Sequence, residues 1–114
     1  MHEFSLMISV LDAVEASARE NNATRVAEVI LVIGEMSEVL TESMEFAFEA
    51  LTPDTMVEGA ALTITKVKPS SRCLECQTVF EHDRYHLACP ECGSLATELL
   101  TGREMYIESI EIET

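Results

Sequence analysis

The cysteines of the chain constrain its fold more than any other feature. They form two Cys-x-x-Cys pairs that are separated by twelve residues. A tight turn at this spacing directs both sulfurs toward one metal ion, and two such knuckles complete a tetrahedron. Zinc is the usual ion for four thiolates, with Zn–S distances near ~2.3 Å. The sequence therefore predicts a zinc-binding ribbon whose ligands are Cys73, Cys76, Cys89 and Cys92.

Other kinds of cysteine site were weighed against structural zinc. A catalytic zinc keeps one open coordination position, and four thiolates leave none. The stretch Cys89-Pro-Glu-Cys92-Gly93 resembles a rubredoxin knuckle, so iron is an alternative. Thioredoxin-like redox chemistry would use one pair and leave the other without a role. We favour a structural zinc site, which would fold a segment too small for its own apolar core.

The composition excludes several classes of function. The chain has 21 Asp and Glu against seven Lys and Arg, a formal net charge of −14. Binding to a phosphate backbone needs a basic surface, so we expect no nucleic-acid partner. Strong acidity suits a basic protein partner or cation handling, and a solvated acidic surface is the plainer explanation. We expect a cytoplasmic protein with reduced thiols, because neither a signal peptide nor a membrane-spanning stretch is evident.

Hydrophobic periodicity predicts an α+β fold: a small mixed three-stranded sheet with two helices, plus an inserted zinc-ribbon domain. The predicted helices cover residues 1–22 and about 41–52, and the predicted strands cover residues 26–33, 61–67 and 103–113. Residues 1–69 and 101–114 are predicted to form the main domain. Residues 70–100 are predicted to form the ribbon.

Local signals give more detailed expectations. Thr41 is the predicted N-cap of the second helix, with Leu40 as a hydrophobic staple before it. The polar run 69–72 is predicted to be a hinge into the cysteine module. Within that module, residues 78–80 and 85–87 are predicted to form short ribbon strands.

A second candidate metal site lies at the N-terminus. The α-amine of Met1, the backbone nitrogen of His2 and its imidazole can close adjacent chelate rings on one ion. Such nitrogen sets suit square-planar Ni²⁺ or Cu²⁺. The fourth donor is either the Glu3 amide or a side chain from elsewhere. His82 and His86, between the knuckles, are predicted to lie exposed on the ribbon; the lesser alternative is that one of them supplies a donor to a metal held at His2.

Short motifs along the whole chain resemble the HypA/HybF family of hydrogenase maturation factors. The resemblance covers essentially the full length, and the N-terminal Met-His-Glu combined with a ribbon makes it specific. The motifs are Met1-His2-Glu3, Arg25-Val26, Ile33-Gly34-Glu35, Phe46-Ala-Phe-Glu-Ala-Leu51, Glu58-Gly59-Ala60 and the two knuckles.

The resemblance implies a nickel metallochaperone, not an enzyme. Nickel would sit on His2 with nearby backbone nitrogens, those of Met1 and Glu3 included, and zinc on the four cysteines. The expected partners are the GTPase HypB and the large subunit of [NiFe]-hydrogenase. Urease maturation proteins are further candidates, because some members serve urease. We expect a monomer or a weak homodimer.

One departure from the family bears on the zinc site. Some relatives carry histidines just after the knuckles, whereas this chain has Gln77, Thr78, Gly93 and Ser94 there. That difference favours an all-cysteine site. Two other functions remain open from the residues alone: a zinc-ribbon interaction module without exchangeable metal, and a rubredoxin-like electron carrier.

Overall fold

The computed structural model describes residues 2–114 and confirms the predicted α+β fold. Two helices and six strands follow one another along the chain: α1 (His2–Glu20), β1 (Arg25–Gly34), α2 (Thr41–Leu51), β2 (Ala61–Val67), β3 (Ser70–Cys73), β4 (Val79–Glu81), β5 (Thr97–Thr101) and β6 (Met105–Glu113). Within the described residues, no helix combines the length and the apolar character needed to cross a membrane.

Helix α1 buries an apolar stripe at helical spacing, as predicted. Met7, Val14 and Ala18 are at most 1% exposed. The helix ends at Glu20, two residues before the predicted limit, and Asn22 takes a left-handed conformation (φ 59°). The Ala23 N–H then donates to the Ala18 carbonyl oxygen, which satisfies one of the last free carbonyls of the helix.

The start of α2 differs from the prediction. Leu40, not Thr41, is the N-cap residue, and it provides no side-chain cap. The prediction of Leu40 as a hydrophobic staple is also wrong, because its side chain is 64% exposed. A carboxylate from α1 takes part instead: Glu3 Oε2 accepts a hydrogen bond from the Leu40 N–H at 3.3 Å. A contact between residues 37 positions apart left no local signal in the sequence.

The first sheet has the strand order β2-β1-β6 and is mixed. The Thr24 N–H donates to Glu113 and the Gly34 N–H to Glu104, so residue numbers run in opposite directions along β1 and β6. Gly34 is required at the end of β1, since a Cβ there would lie 2.1 Å from the Gly102 carbonyl carbon.

The second sheet has the strand order β4-β3-β5, and both pairs are antiparallel. The predicted hinge at residues 69–72 is therefore wrong, because most of that run belongs to the central strand β3. Residues 78–80 correspond to β4, displaced by one position. Residues 85–87 form an irregular turn where a strand was predicted, and β5 is the third strand.

The chain divides into two compact units, and three of the four boundaries fall within strands of the first sheet. The helical unit comprises the residues up to Leu31 together with Val39–Thr65 and Ile107–Thr114. The cysteine unit comprises Val32–Glu38 and Lys66–Tyr106. The helical unit carries two Arg against thirteen Asp and Glu, a formal charge of −11, and the cysteine unit carries the remaining −3. The predicted domain limits, residues 70–100 for the ribbon, stay a prediction.

Candidate metal sites

The four cysteine sulfurs lie together in the cysteine unit. All four Sγ atoms are within 4.8 Å of one another. The shortest pairs join one knuckle to the other, Cys73 to Cys92 at 3.5 Å and Cys76 to Cys89 at 3.6 Å. A tetrahedron with Zn–S distances near 2.3 Å has edges of about 3.8 Å, so the cluster fits a tetrahedral ion with thiolate ligands. The sulfurs are too far apart for disulfides, whose S–S length is about 2.05 Å.

The backbone builds the two knuckles in the same way. In each knuckle the N–H of the first cysteine donates to the carbonyl five residues later, Thr78 or Ser94, at 2.9 Å. The carbonyl of that cysteine in turn accepts the N–H four residues later, from Gln77 or Gly93. Both of those residues have left-handed φ angles, 66° and 76°. These hydrogen bonds fix the turn of each knuckle and so orient its two sulfurs.

The electrostatics of the cluster separate its two exposed thiols. Hydrogen bonds from the Thr78 hydroxyl and backbone lower the pKa of Cys76 to about 6. The Ser94 N–H lowers the pKa of Cys92, but hydrogen bonding with Cys73 and burial outweigh it and raise that pKa to about 12. One thiolate therefore forms easily, and the last one is opposed by its neighbours. A divalent cation would remove that opposition.

The histidines between the knuckles have local partners. His82 Nδ1–H donates to the Asp83 carbonyl oxygen at 2.8 Å, and its Nε2 lies 2.8 Å from the Ser71 hydroxyl, so both ring nitrogens are engaged. His86 is exposed as predicted, and its Nδ1–H donates to the Asp83 carboxylate at 2.8 Å. The Tyr85 N–H also donates to Asp83, and these two contacts lower the pKa of that carboxyl group. His82 is thus a half-buried structural residue, contrary to the predicted exposure.

The N-terminal candidate site is more open. The His2 side chain is 56% exposed and its Nε2 lies 3.6 Å from Glu3 Oε2. Glu3 is 4% exposed, and the Leu40 N–H, which donates to its carboxylate, lowers the pKa of that group. The carboxylate is thus ionised at neutral pH and already engaged within the protein. The prediction for Met1 lies outside the described residues.

Sequence reasoning missed two groups that shape these sites. Thr78 lowers the pKa of Cys76. A hydroxyl residue two positions after a cysteine is the sequence signal that would have indicated this contact. Asp83 orients His86 across the i, i+3 spacing typical of a capping carboxylate. The Leu40 backbone contact with Glu3 had no such signal.

Comparison with known proteins identifies the family. The model of a family described as "Hydrogenase/urease nickel incorporation, metallochaperone, hypA" matches residues 1–112. The chain belongs to the HypA family. Two similar relatives are the hydrogenase maturation factors HypA of Aquifex aeolicus and Dechloromonas aromatica, which are 38% and 42% identical. Each alignment covers 99% of this chain, and they cover 98% and 100% of the relatives.

Solved structures of HypA proteins share the fold. The solution structure of the Ni metallochaperone HypA from Helicobacter pylori has a TM-score of 0.67 at 30% identity, covering 99% of this chain and 98% of that one. A second HypA solution structure has a TM-score of 0.72 at 30% identity, covering 98% and 96%. The resemblance inferred from the motifs is therefore confirmed, and the relatives are maturation factors.

Proposed function

We propose that this HypA protein is a nickel carrier, which binds Ni²⁺ at its N-terminus and delivers it for the maturation of [NiFe]-hydrogenase. The observation that carries the proposal is the exposed His2 at the first position of α1. In an α-helix the first four N–H groups have no intrahelical acceptor. The amide nitrogens of His2 and Glu3 can therefore lose their protons to a metal without breaking a helical hydrogen bond.

The proposed donors are nitrogens: the Met1 amine, the His2 amide and imidazole, and the Glu3 amide. The Glu3 carboxylate serves differently, because it is buried and accepts the Leu40 N–H. Its charge offsets the positive end of the α1 dipole, which alone would repel a cation. A site on one exposed imidazole and terminal backbone atoms exchanges its ion more readily than a closed cage, as a carrier requires.

Zinc has a structural role in this proposal. The four cysteines match a thiolate tetrahedron, and their all-sulfur donor set suits Zn²⁺. The ion would fix the knuckles and leave no open position for chemistry. We further propose that the partners are the GTPase HypB, the hydrogenase large subunit and urease maturation proteins, and that the protein acts in the cytoplasm as a monomer or weak homodimer. The relatives' names as hydrogenase maturation factors support partners in hydrogenase maturation.

Isothermal titration of Ni²⁺ into wild-type protein and His2→Ala tests the nickel site. We expect His2→Ala to weaken Ni²⁺ binding at least tenfold, because losing a ligand should cost no less than losing an outer-shell partner of one, roughly 10–100-fold. Zinc content and far-UV circular dichroism should stay unchanged. Protein acetylated at the N-terminus should behave like His2→Ala, because its α-amine is blocked, and His86→Ala should bind Ni²⁺ like wild type. Wild-type affinity in His2→Ala would remove the N-terminal assignment.

A further inference from the structure

Two phenylalanines of the helical unit form a partly exposed aromatic pair, and one of them, Phe4, lies two residues after His2 in the chain. Phe4, in the first turns of α1, packs edge-to-face against Phe46 of α2, with ring centroids 6.0 Å apart and planes at 73°. Phe46 is nevertheless 64% exposed. A shallow cavity of about 250 Å³ lies beside the pair, lined by Glu3, Phe4, Glu42, Ser43 and Phe46. We call these five residues the Phe4–Phe46 surface.

The Phe4–Phe46 surface has the features of an anchoring site. Single exposed apolar residues are common, but an aromatic pair that borders a cavity offers a preformed contact for an apolar side chain. Ile8 is four residues after Phe4 and therefore on the same side of α1, and it is 48% exposed. Apolar surface thus continues along the helix away from the cavity.

The charge around this surface selects its partner. Glu42 lines the cavity, and Glu45 and Glu49 follow it at helical spacing on α2, both exposed. The whole helical unit has a formal charge of −11. Like charge disfavours a second copy of this unit, an anionic lipid surface and a nucleic acid. The complementary occupant carries an apolar anchor flanked by lysine or arginine.

We propose that the Phe4–Phe46 surface docks a cationic amphipathic helix of a partner protein. An apolar side chain of that helix would enter beside Phe4 and Phe46, and its basic residues would face Glu42, Glu45 and Glu49. The functional role of this docking rests on the proposed nickel site. Because Glu3 lines the cavity, a docked partner would contact the residue next to His2. The segment that docks would then lie where the carried ion is released.

Fluorescence anisotropy with a labelled helical peptide, leucine on one face and lysine on the other, tests the proposal. A matched peptide with glutamate in place of lysine is the control ligand. We expect the lysine peptide, but not the glutamate peptide, to bind the zinc-loaded full chain. Phe46→Ser should weaken binding about tenfold or more, as expected for a central aromatic contact. Tyr85→Ser, which removes an aromatic residue that is 83% exposed on the cysteine unit, should bind like wild type.

Three outcomes would overturn the proposal: unchanged peptide affinity in Phe46→Ser with its helical circular dichroism intact, equal binding of the glutamate peptide, or a concentration-dependent dimer in sedimentation that Phe46→Ser abolishes. The last outcome would assign the surface to a second copy. His2→Ala separates this inference from the nickel proposal. It should keep its peptide affinity while losing Ni²⁺, so either proposal can fail while the other stands.

Discussion

In the helical unit, apolar side chains from both helices and β1 pack into a core, whereas the buried cluster of the β4-β3-β5 sheet is Cys73, Phe80 and Cys89. Two of those three side chains are candidate metal ligands. This cluster is much smaller than the core of the helical unit. We therefore expect a bound metal to contribute much of the stability of the β4-β3-β5 sheet.

This difference explains why a carrier of one metal would also keep another. The helical unit is stabilised by apolar packing, so a nickel ion at the proposed N-terminal site could be exchanged without loss of the fold. We infer that the cysteine unit depends on a bound ion for its structure, so that ion would have to stay. We infer that the cargo metal and the structural metal differ in how long each ion stays bound. This residence time depends on how much of the fold each ion supports.

Removal of Cys89, a proposed zinc ligand, should have the largest effect. Cys89→Ser should lose zinc and the ordered structure of the cysteine unit, because structural zinc supplies roughly 10–16 kcal/mol in small domains. Far-UV circular dichroism should retain its helical signal, since both helices belong to the helical unit. Zinc analysis and the dispersion of amide signals from β3, β4 and β5 measure the two effects.

Chelation of zinc from the wild type should reproduce this pattern, and added zinc should reverse it. Leu95→Ala, at an exposed position near the second knuckle, is the control and should keep its zinc. Well-dispersed signals from the three strands in metal-free protein would contradict a metal-dependent cysteine unit.

A core substitution in the helical unit should give the opposite pattern. Met7 is fully buried on α1, so Met7→Ala should lower the free energy of unfolding of that unit by about 2–5 kcal/mol. Zinc content should not change. Urea denaturation followed by far-UV circular dichroism measures the loss, and the adjacent Ile8→Ala, 48% exposed, should cost less than about 0.5 kcal/mol. Loss of zinc from Met7→Ala would show that the two units are not independent.

Sequence patterns predicted the elements whose signals are local. The 3.6-residue period of apolar residues predicted α1, and the alternating pattern around Leu62 and Ile64 predicted β2 at its observed limits. The doubled Cys-x-x-Cys spacing predicted the sulfur cluster. Each of these signals lies within one segment of chain. The family resemblance rested on short motifs along the whole chain, and the comparisons confirmed the family.

Two of these errors occurred where a distant partner decides the structure, and one where a nearby carboxylate does. The run 69–72 looks like a hinge, but pairing with β4 and β5 makes it a strand, supported by an ion pair between Arg72 and Glu98 at 3.0 Å. Residues 85–87 look extended, but the Asp83 carboxylate captures two N–H groups and turns the chain. The start of α2 depends on Glu3, which no window around Leu40 contains.

The smallest expected effect concerns Glu3, the one residue that is both a structural contact and a neighbour of the proposed nickel ligand His2. Its pKa lies below the ordinary 4.5, because the Leu40 N–H donates to the ionised carboxylate. A depressed pKa stabilises the fold above the ordinary value, and this contribution is lost as the pH falls through the lowered pKa. Glu3→Gln keeps the shape and an acceptor oxygen but removes the charge.

We therefore expect Glu3→Gln to be less stable than wild type at pH 7, by less than Met7→Ala, with the difference shrinking as the pH falls below about 4.5. Urea denaturation followed by helical circular dichroism measures this difference without interference from acid-labile thiolates, because both helices belong to the helical unit. Glu45→Gln, at an exposed position on α2, should match wild type throughout. A Glu3→Gln deficit that stays constant with pH would mean that shape, not charge, joins Glu3 to Leu40.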